Sequence, residues 1–415
     1  MATWTDHARR RLRPTKALIH DAVDATTFLV EEGHDAVADV VVGAASTLPE
    51  LRRGATSADA ARRAVTGGVL ATVRAVNRAV EKASDAALDL APLQAADEPA
   101  VPLRSDHVVS VDGALDQLVG VLNGAVGDHL ARVGNGLDQG LRLRSGDTWL
   151  PADPAALPAA LPTGGSRVVV FVHGLSTTEL SWCLDAAANL GAPDAHFGAL
   201  LERERGLVPI FVRYNTGRAV AESGAALSEA LAGLVAGWPT PIEQLVLVGH
   251  SMGGLVIRAA THAATTADAP WLAPLTHVAC LGSPHQGAPL ARLGHTATDA
   301  LRAVPHPVTR VAGRILAHRS AGIQDLRHRA LPALGPLLSD VRYLFVAGTL
   351  SQRAHHPTAH VLGDMLVPVA SAGGPGGADV RVRHFGVVAH HQLQTHAGVY
   401  AALAGWLAEP APVAG

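Results

Sequence analysis

The sequence predicts an α/β fold in which helices cover both faces of a mostly parallel, doubly wound sheet. From about residue 165 onward, short β-branched runs alternate with stretches of helical periodicity, separated by short loops. Alternation of this kind forms parallel sheets, because each helix returns the chain to the same end of the sheet. In such a fold the functional site lies at the carboxyl ends of the strands.

The positions of the apolar runs predict the elements of this sheet in order. Strands are predicted at 167–173, 208–214, 244–249, 277–281, 343–347 and 380–382. Helices are predicted at about 179–190, 196–205, 222–236 and 399–407, with a further helix directly after residue 251. A short strand pair near 141–150 precedes them.

The first part of the chain has a helical pattern that is nearly free of strand signals. At 415 residues the chain exceeds a usual single core, so we expect one α/β domain with a sizeable addition. We predict a helical N-terminal region at 1–145 and the α/β domain at 146–410. Three apolar stripes indicate the N-terminal helices, at about 19–44, 65–83 and 115–130.

Two interpretations of this helical region are open. The first is a bundle or cap that packs against the α/β domain. The second is peripheral contact of one helix with a membrane surface, which nearby arginines favour and interleaved acidic residues oppose. These arginines are Arg9, Arg10, Arg11, Arg13, Arg52, Arg53, Arg62, Arg63, Arg74 and Arg78.

Composition and charge limit the partners and the location that we expect. The net charge of −3 provides no basic field for nucleic acid. Cys183 and Cys280 lie in or beside apolar segments, where a thiol behaves as a small buried hydrophobe. The polar, Arg-rich amino terminus does not resemble a signal peptide, and no apolar run reaches the roughly 20 residues of a membrane span. We therefore expect a cytoplasmic protein.

The segment Gly249–Gly254, Gly-His-Ser-Met-Gly-Gly, directly follows the apolar run Leu245–Val248. Apolar helical residues come after it. A strand that turns sharply into a helix with a serine at the apex is a nucleophile elbow. Its glycines allow the strand and the helix to approach without a Cβ clash. We predict Ser251 as the nucleophile.

A serine hydroxyl needs a histidine to accept its proton and a carboxylate to orient that histidine, in this chain order. Asp364 is the predicted acid, because it follows the strand at 343–347 on a loop that can reach the site. Asp340 and Asp379 each precede a strand and therefore belong to the opposite end of the sheet.

Several histidines lie between the last strand and the closing helix. We predict His390 as the general base, because it stands on the loop after the strand at 380–382. His391 is the alternative, and the doubled histidine leaves the choice open. His384 and His396 are interpreted as ordinary surface or core residues.

The oxyanion of the reaction needs two backbone N–H donors. Met252, directly after the nucleophile, is predicted to supply one. Leu175 is predicted to supply the other, because Gly174 allows the loop after the strand at 167–173 to curl toward Ser251. We expect the substrate pocket to include His173, Gly174, His250 and His285.

These segments together resemble the lipase and esterase branch of the α/β-hydrolases, and within it bacterial proteins similar to GPI inositol-deacylase-like hydrolases. The resemblance covers roughly 165–408 and rests on the segments 171–175, 249–254, 281–288, 363–368 and 390–400. The stretch 122–130 also resembles a segment that precedes the hydrolase domain in such proteins. The resemblance implies a serine hydrolase that cleaves a lipid ester or another apolar acyl substrate, without implying cleavage of a GPI anchor.

An insertion at about 288–338 carries apolar residues at the spacing of short amphipathic helices and is predicted to cap the site. We predict no metal and no cofactor. The region 385–400 contains no carboxylates for a calcium ion. The cluster of His355, His356 and His360 has no Cys or acid at ligand spacing and is interpreted as a polar loop.

The sequence therefore predicts a serine esterase or lipase that forms an acyl-enzyme intermediate. Acyl transfer to another acceptor and thioester hydrolysis would use the same residues and are alternatives. A non-catalytic, membrane-associated scaffold is a further alternative. It is disfavoured because a scaffold does not require an intact set of catalytic residues.

Overall fold

The computed structural model describes residues 14–17, 20–21, 78, 82, 100–161, 164–287, 320–326, 334–349, 364, 367, 369–376 and 379–409. Spatial clustering divides the chain into two compact units. The larger unit comprises Asp97–Gly134, Asp138–Val304 and His318–Gly415. It contains the sheet and every predicted site residue.

The strands in the described part of the chain form one sheet of eight. They are β1 Leu141–Ser145, β2 Thr148–Trp149, β3 Arg167–Val172, β4 Val208–Tyr214, β5 Gln244–His250, β6 Leu275–Leu281, β7 Arg342–Thr349 and β8 Val380–Gly386. Their order is β2-β1-β4-β3-β5-β6-β7-β8. Strand β1 is antiparallel to both neighbours, and the remaining pairs are parallel. The predicted fold class is confirmed.

The helices of the described residues surround this sheet. They are α1 Ser105–Val108, α2 Val111–Arg132, α3 Leu157–Ala160, α4 Ala186–Leu190, α5 Phe197–Arg205, α6 Val220–Gly237, α7 Met252–Thr266, α8 Ala321–Asp325, α9 Val369–Ala372 and α10 Ala397–Ala408. Short 3₁₀ turns lie at Pro154–Ala156, Glu179–Cys183, Pro270–Leu272 and His390–Gln394. None of these helices is long and apolar enough to cross a membrane.

The parallel strands are apolar at successive positions because both faces of the sheet are covered. In β3, Val168, Val170 and Val172 belong to one hydrophobic cluster, whereas Val169 and Phe171 belong to the cluster on the opposite face. Side chains of a strand alternate between faces, so a strand buried on both sides appears in the sequence as a continuous apolar run. This is why β3, β4 and β5 were predictable almost to the residue.

Two elements differ from their predicted bounds for physical reasons. The predicted strand at 380–382 continues to Gly386, because β8 is an edge strand whose exposed positions, such as Arg381 and Arg383, are polar. The predicted helix at 179–190 is divided into a 3₁₀ turn and α4. The interruption is at Asp185, whose φ of +58° is incompatible with a right-handed helix.

The third predicted N-terminal stripe is confirmed as α2, which is kinked at Val126. The first two stripes lie almost entirely outside the described residues, as does most of the predicted cap at 288–338. Membrane contact and capping therefore stay predictions, as does the domain boundary at residue 145. Within the described part, α2 and β1 belong to the same compact unit as the rest of the sheet.

His196 gives the folded protein a predictable response to acid. It begins α5, where its Nδ1 accepts a hydrogen bond from the Ala199 amide at 3.1 Å. Burial lowers the pKa of His196 from 6.5 to about 4. Between these values the unfolded chain binds more protons than the folded chain, so the free energy of unfolding rises with pH. This stability is lost as the pH falls from about 6.5 toward 4.

We expect His196→Asn to reduce this dependence on pH, because asparagine keeps a capping oxygen and does not titrate. The measurement is urea unfolding at about pH 7.5 and about pH 5. The exposed His391 provides the control, since His391→Asn should retain the wild-type difference. An unchanged difference in His196→Asn would contradict the prediction.

Candidate active site

Ser251 lies at the sharp turn between β5 and α7. Its backbone has φ 53° and ψ −123°, a conformation that is strained in a residue with a Cβ atom. Its amide donates to the Leu281 carbonyl at 2.8 Å, which anchors the turn to the end of β6. The residue is 9% exposed. This is the strand-turn-helix geometry that the sequence predicts for the segment.

The glycines of the turn are required by close backbone contacts. A Cβ atom added at Gly249 would lie 2.5 Å from the Gly254 amide nitrogen, within the turn itself. One added at Gly253 would overlap the Val172 carbonyl oxygen and lie 2.6 Å from the His173 carbonyl oxygen. The helix can therefore start directly against the end of β3 only because these positions carry no side chain.

His390 and Asp364 form a buried pair. The Nδ1 atom of His390 is 2.7 Å from Asp364 Oδ2, and the two side chains are 8% and 0% exposed. The backbone adds a second contact, because the His390 amide donates to the Asp364 carbonyl at 3.1 Å. Asp364 Oδ1 accepts from the Val367 amide at 2.9 Å. The carboxylate therefore holds one nitrogen of the imidazole and leaves Nε2 for another partner.

The other candidate residues lie elsewhere. The side chain of His391 is exposed, although its neighbour His390 is buried. His396 caps α10 by accepting from the Gly398 amide at 3.1 Å. Asp379 is at the start of β8, where it pairs with Arg342 at 3.0 Å. Sequence reasoning placed Asp379 at the opposite end of the sheet, and the structure agrees.

Gly282 brings the serine and the histidine into the same neighbourhood. It follows Leu281, whose carbonyl accepts the Ser251 amide. A Cβ atom added at Gly282 would lie 3.1 Å from His390 Cε1 and 3.2 Å from His390 Nδ1. The histidine ring thus packs against the residue next to the anchor of the serine turn.

The loop after β3 lies against the serine. A Cβ atom added at Gly174 would be 3.0 Å from Ser251 Cβ and 3.2 Å from His250 Nδ1. Leu175 follows on this loop and is partly buried. Met252 is the first residue of α7, where backbone N–H groups have no partner within the helix. Of the two predicted oxyanion donors, Met252 follows Ser251 in the chain. Leu175 follows Gly174, which contacts Ser251.

His173 connects this loop to strand β4. Its ring is fully buried, with Nδ1 3.0 Å from the Gly174 carbonyl and Nε2 3.4 Å from the Tyr214 amide. Burial lowers its pKa to about 4, so the ring is neutral. A side chain with no accessible surface does not contact a substrate in this conformation. In this structure His173 contacts the backbone of the loop and of β4, and its place in the substrate pocket stays a prediction.

His250 links the serine strand to the histidine loop. Its Nε2 lies 3.0 Å from the His390 carbonyl oxygen, and because a carbonyl only accepts, Nε2 carries the proton. The side chain is 4% exposed, and burial lowers its pKa well below the usual range. The neutral His250 ring thus contacts the backbone of His390, and its place in the substrate pocket stays a prediction.

Comparison with known proteins agrees with this architecture. Residues 214–308, which include β5, the serine turn, α7 and β6, match the profile of the PGAP1-like alpha/beta domain. This segment is similar to that family, and the match covers less than a quarter of the chain. No curated protein matches the sequence.

Solved structures similar to this chain include two hydrolases. The mature lipase of Bacillus licheniformis is 16% identical with a TM-score of 0.40, and the match covers 64% of this chain and 97% of that one. An esterase of Pyrobaculum calidifontis is 12% identical with a TM-score of 0.37, and the match covers 69% of this chain and 90% of that one.

The matched segment 214–308 also contains His285, which was predicted to line the pocket. Its Nδ1 is 3.3 Å from Arg258 Nη1, and Arg258 Nη2 donates to the Gly335 carbonyl at 2.8 Å. Burial lowers the pKa of His285 to about 3. Its side chain is 8% exposed, and its amide lies 3.1 Å from the Ser371 carbonyl. His285 thus connects the end of β6 to α9.

Sequence reasoning missed a buried charge network at Glu179. Glu179, fully buried, lies 2.7 Å from Arg213 Nε and 2.9 Å from Arg144 Nη1. Burial alone would raise the pKa of Glu179, but the two guanidinium groups lower it to about 2. A signal was present, since Arg213 is a single charge in the apolar strand β4, and buried charges require partners.

The described residues contain no cluster of His, Cys, Asp or Glu suited to a metal ion. Near the turn that carries Ser251, the structure places an imidazole, His390, against a buried carboxylate, Asp364. Nucleophilic catalysis by a serine uses groups of these types.

Proposed function

We propose that this chain is a serine hydrolase that cleaves carboxylic esters, with Ser251 as nucleophile, His390 as general base and Asp364 as the residue that orients His390. One observation carries the proposal: a buried 2.7 Å bond between His390 Nδ1 and Asp364 Oδ2, next to a serine at the apex of a strained strand-to-helix turn. A carboxylate in this position selects the tautomer of the imidazole and stabilises the charge that it acquires.

The proposed reaction has two stages. Ser251 Oγ attacks the ester carbonyl carbon while its proton passes to His390 Nε2. The bond to the leaving alcohol breaks as His390 returns this proton to the alcohol oxygen, which leaves an acyl-enzyme. Water then attacks the acyl group by the same route, and His390 transfers the proton back to Ser251 Oγ as the carboxylic acid is released.

The oxyanion of each stage would be stabilised by the N–H groups of Leu175 and Met252. The fit of Gly174 against Ser251 supports this role, because it brings the loop that carries Leu175 to the nucleophile. Backbone donors placed before the reaction begins stabilise the developing charge without reorganisation.

A fluorophosphonate probe tests the proposal. Such probes form a covalent bond with a serine only when a neighbouring base activates it. We expect the full-length wild type to be labelled at Ser251, as located by peptide mass spectrometry, and to lose hydrolysis of p-nitrophenyl esters when labelled. Ser251→Ala should not react.

Ser166→Ala is the matched control, because Ser166 bonds to Glu243 and precedes β3 at the other end of the sheet. It should be labelled like the wild type. An unlabelled wild type, or equal labelling of Ser251→Ala, would refute the proposed function.

A further inference from the structure

Helix α2 presents glycines to the loop that follows β3. Gly120 and Gly124 are four residues apart, which places them on one side of a helix. A Cβ atom added at Gly120 would lie 2.9 Å from the Thr177 carbonyl oxygen, and one added at Gly124 would overlap Ser176 Oγ. The backbone of α2 therefore contacts loop residues 176–178 with no side chain of its own between them.

A third glycine of the same face meets the loop after β4. A Cβ atom added at Gly127 would overlap Asn215 Oδ1. The amide of Asn215 is held there, because Nδ2 donates to the Gly127 carbonyl at 2.8 Å and to Asp138 Oδ1 at 2.7 Å. The next residue, Thr216, accepts a hydrogen bond from the Ser176 amide at 3.1 Å. Helix α2 and these two loops thus form one set of contacts.

A charge network joins α2 to the far side of the same loop. Asp116, one turn before the glycines, lies 2.8 Å from Arg213 Nη2, and Arg213 Nε lies 2.7 Å from Glu179. Asp116, Arg213 and Glu179 are 2%, 6% and 0% exposed. Because Glu179 ends the loop that begins at His173, α2 anchors this loop through backbone contacts and through buried charges.

Ser176 shows why such support is needed. It directly follows Leu175, and its φ of +58° is a left-handed conformation that costs free energy in a residue with a Cβ atom. A strained conformation persists only where surrounding contacts maintain it. The contacts of Ser176 with Gly124 and Thr216 are of this kind.

We propose that α2 is a positioning element of the oxyanion hole, in which Gly120 and Gly124 hold the loop so that the Leu175 amide faces the oxyanion. The inference rests on the proposed function, because it takes Leu175 as a donor. It gives a role to the stretch 122–130, which sequence reasoning connected with no chemistry. It also makes residues well before the predicted boundary at 145 necessary for catalysis.

The first test is Gly124→Ala in the full-length chain. The added methyl group displaces Ser176, so we expect kcat for a p-nitrophenyl ester to fall by about 10- to 100-fold while KM changes by less than about threefold. A boronic acid inhibitor places an oxygen in the oxyanion hole. Its inhibition constant should rise by the same factor by which kcat/KM falls. Partial unfolding would lower the amount of active enzyme without changing this constant.

Gly405→Ala is the control for the substitution itself. Gly405 lies within α10, and a Cβ atom added there would have no neighbour within 4 Å. Its kcat and inhibition constant should equal those of the wild type. Wild-type values in Gly124→Ala as well would overturn the proposal.

Thr216→Val provides a milder variant that decides the matter if Gly124→Ala does not fold. It removes the acceptor of the Ser176 amide while keeping the shape of the side chain, and we expect kcat to fall by about tenfold at similar KM. Thr276→Val is its control, because Thr276 bonds to the Leu245 carbonyl at the opposite end of the sheet. Equal rates in Thr216→Val and Thr276→Val would overturn the proposal.

Hydrogen exchange separates this inference from the proposed function. The amides of residues 173–178 should exchange about tenfold faster in Thr216→Val than in Thr276→Val, whether or not the chain hydrolyses esters. If the wild type neither hydrolyses esters nor reacts with the probe, but the two variants differ in exchange as expected, the proposed function is refuted and the contact between α2 and the loop is retained. A labelled, active wild type with unchanged exchange in Thr216→Val would refute the inference alone.

Discussion

Replacement of His390 by glutamine is expected to lower kcat for ester hydrolysis by about 10⁴- to 10⁶-fold. Glutamine cannot accept the proton of Ser251, and without this transfer the hydroxyl is a weak nucleophile. The expected effect equals that of removing the serine, because the two residues act as one unit. The measurement is the steady-state rate with a p-nitrophenyl ester, together with thermal unfolding to show that the variant folds.

His391→Gln is the matched control in the adjacent position. His391 is exposed, whereas His390 is buried against Asp364. We expect His391→Gln to retain the wild-type kcat and KM. The reverse result, with an active His390→Gln and an inactive His391→Gln, would show that the wrong histidine was assigned.

The largest expected effect on stability is that of Glu179→Gln, which should lower the free energy of unfolding by about 3–5 kcal/mol. The substitution removes the negative charge that faces Arg144 and Arg213, and leaves two buried guanidinium groups without their shared carboxylate. Because the pKa of Glu179 is lowered to about 2, its contribution is complete above about pH 4.5 and is lost as the pH falls toward 2.

Urea unfolding at neutral pH measures this effect. Asp106→Asn is the control, since Asp106 forms a comparable 2.9 Å ion pair with Arg104 in which both side chains are about half exposed. Exposed pairs contribute little because water solvates both charges. A change in Glu179→Gln no greater than in Asp106→Asn would show that the network does not stabilise the fold.

Much of the sheet could be predicted because the sequence signals of its strands lie within short segments of the chain. The strands β3, β4 and β5 are continuous apolar runs, and the elbow at Ser251 combines such a run with glycines at fixed positions. Strand β8 was predicted too short, because this edge strand consists of partly buried and exposed residues and lacks a continuous apolar run. Local signals thus determine elements that are buried on both faces.

The partners of charged and polar residues could not be predicted in the same way. Glu179, Arg213 and Asp116 are far apart in the chain, and their contact depends on how α2 packs beside β4. The glycines of α2 weaken its helical pattern in the sequence. Their purpose, close approach to the loop at 176–178, is visible only where the two segments meet.

The sequence by itself determined most of the sheet and the strand-turn-helix position of Ser251, because each depends on residues that are close in the sequence. It also predicted an acid followed by a histidine after Ser251, from the order of the strands. Only the tertiary structure shows that His390 is buried against Asp364 while His391 is exposed. Adjacent residues in a 3₁₀ turn project in different directions, and the fold buries one ring against Asp364 while it leaves the other in solvent. The same reason applies to His173 and His250, whose neighbours in space lie on other strands and loops.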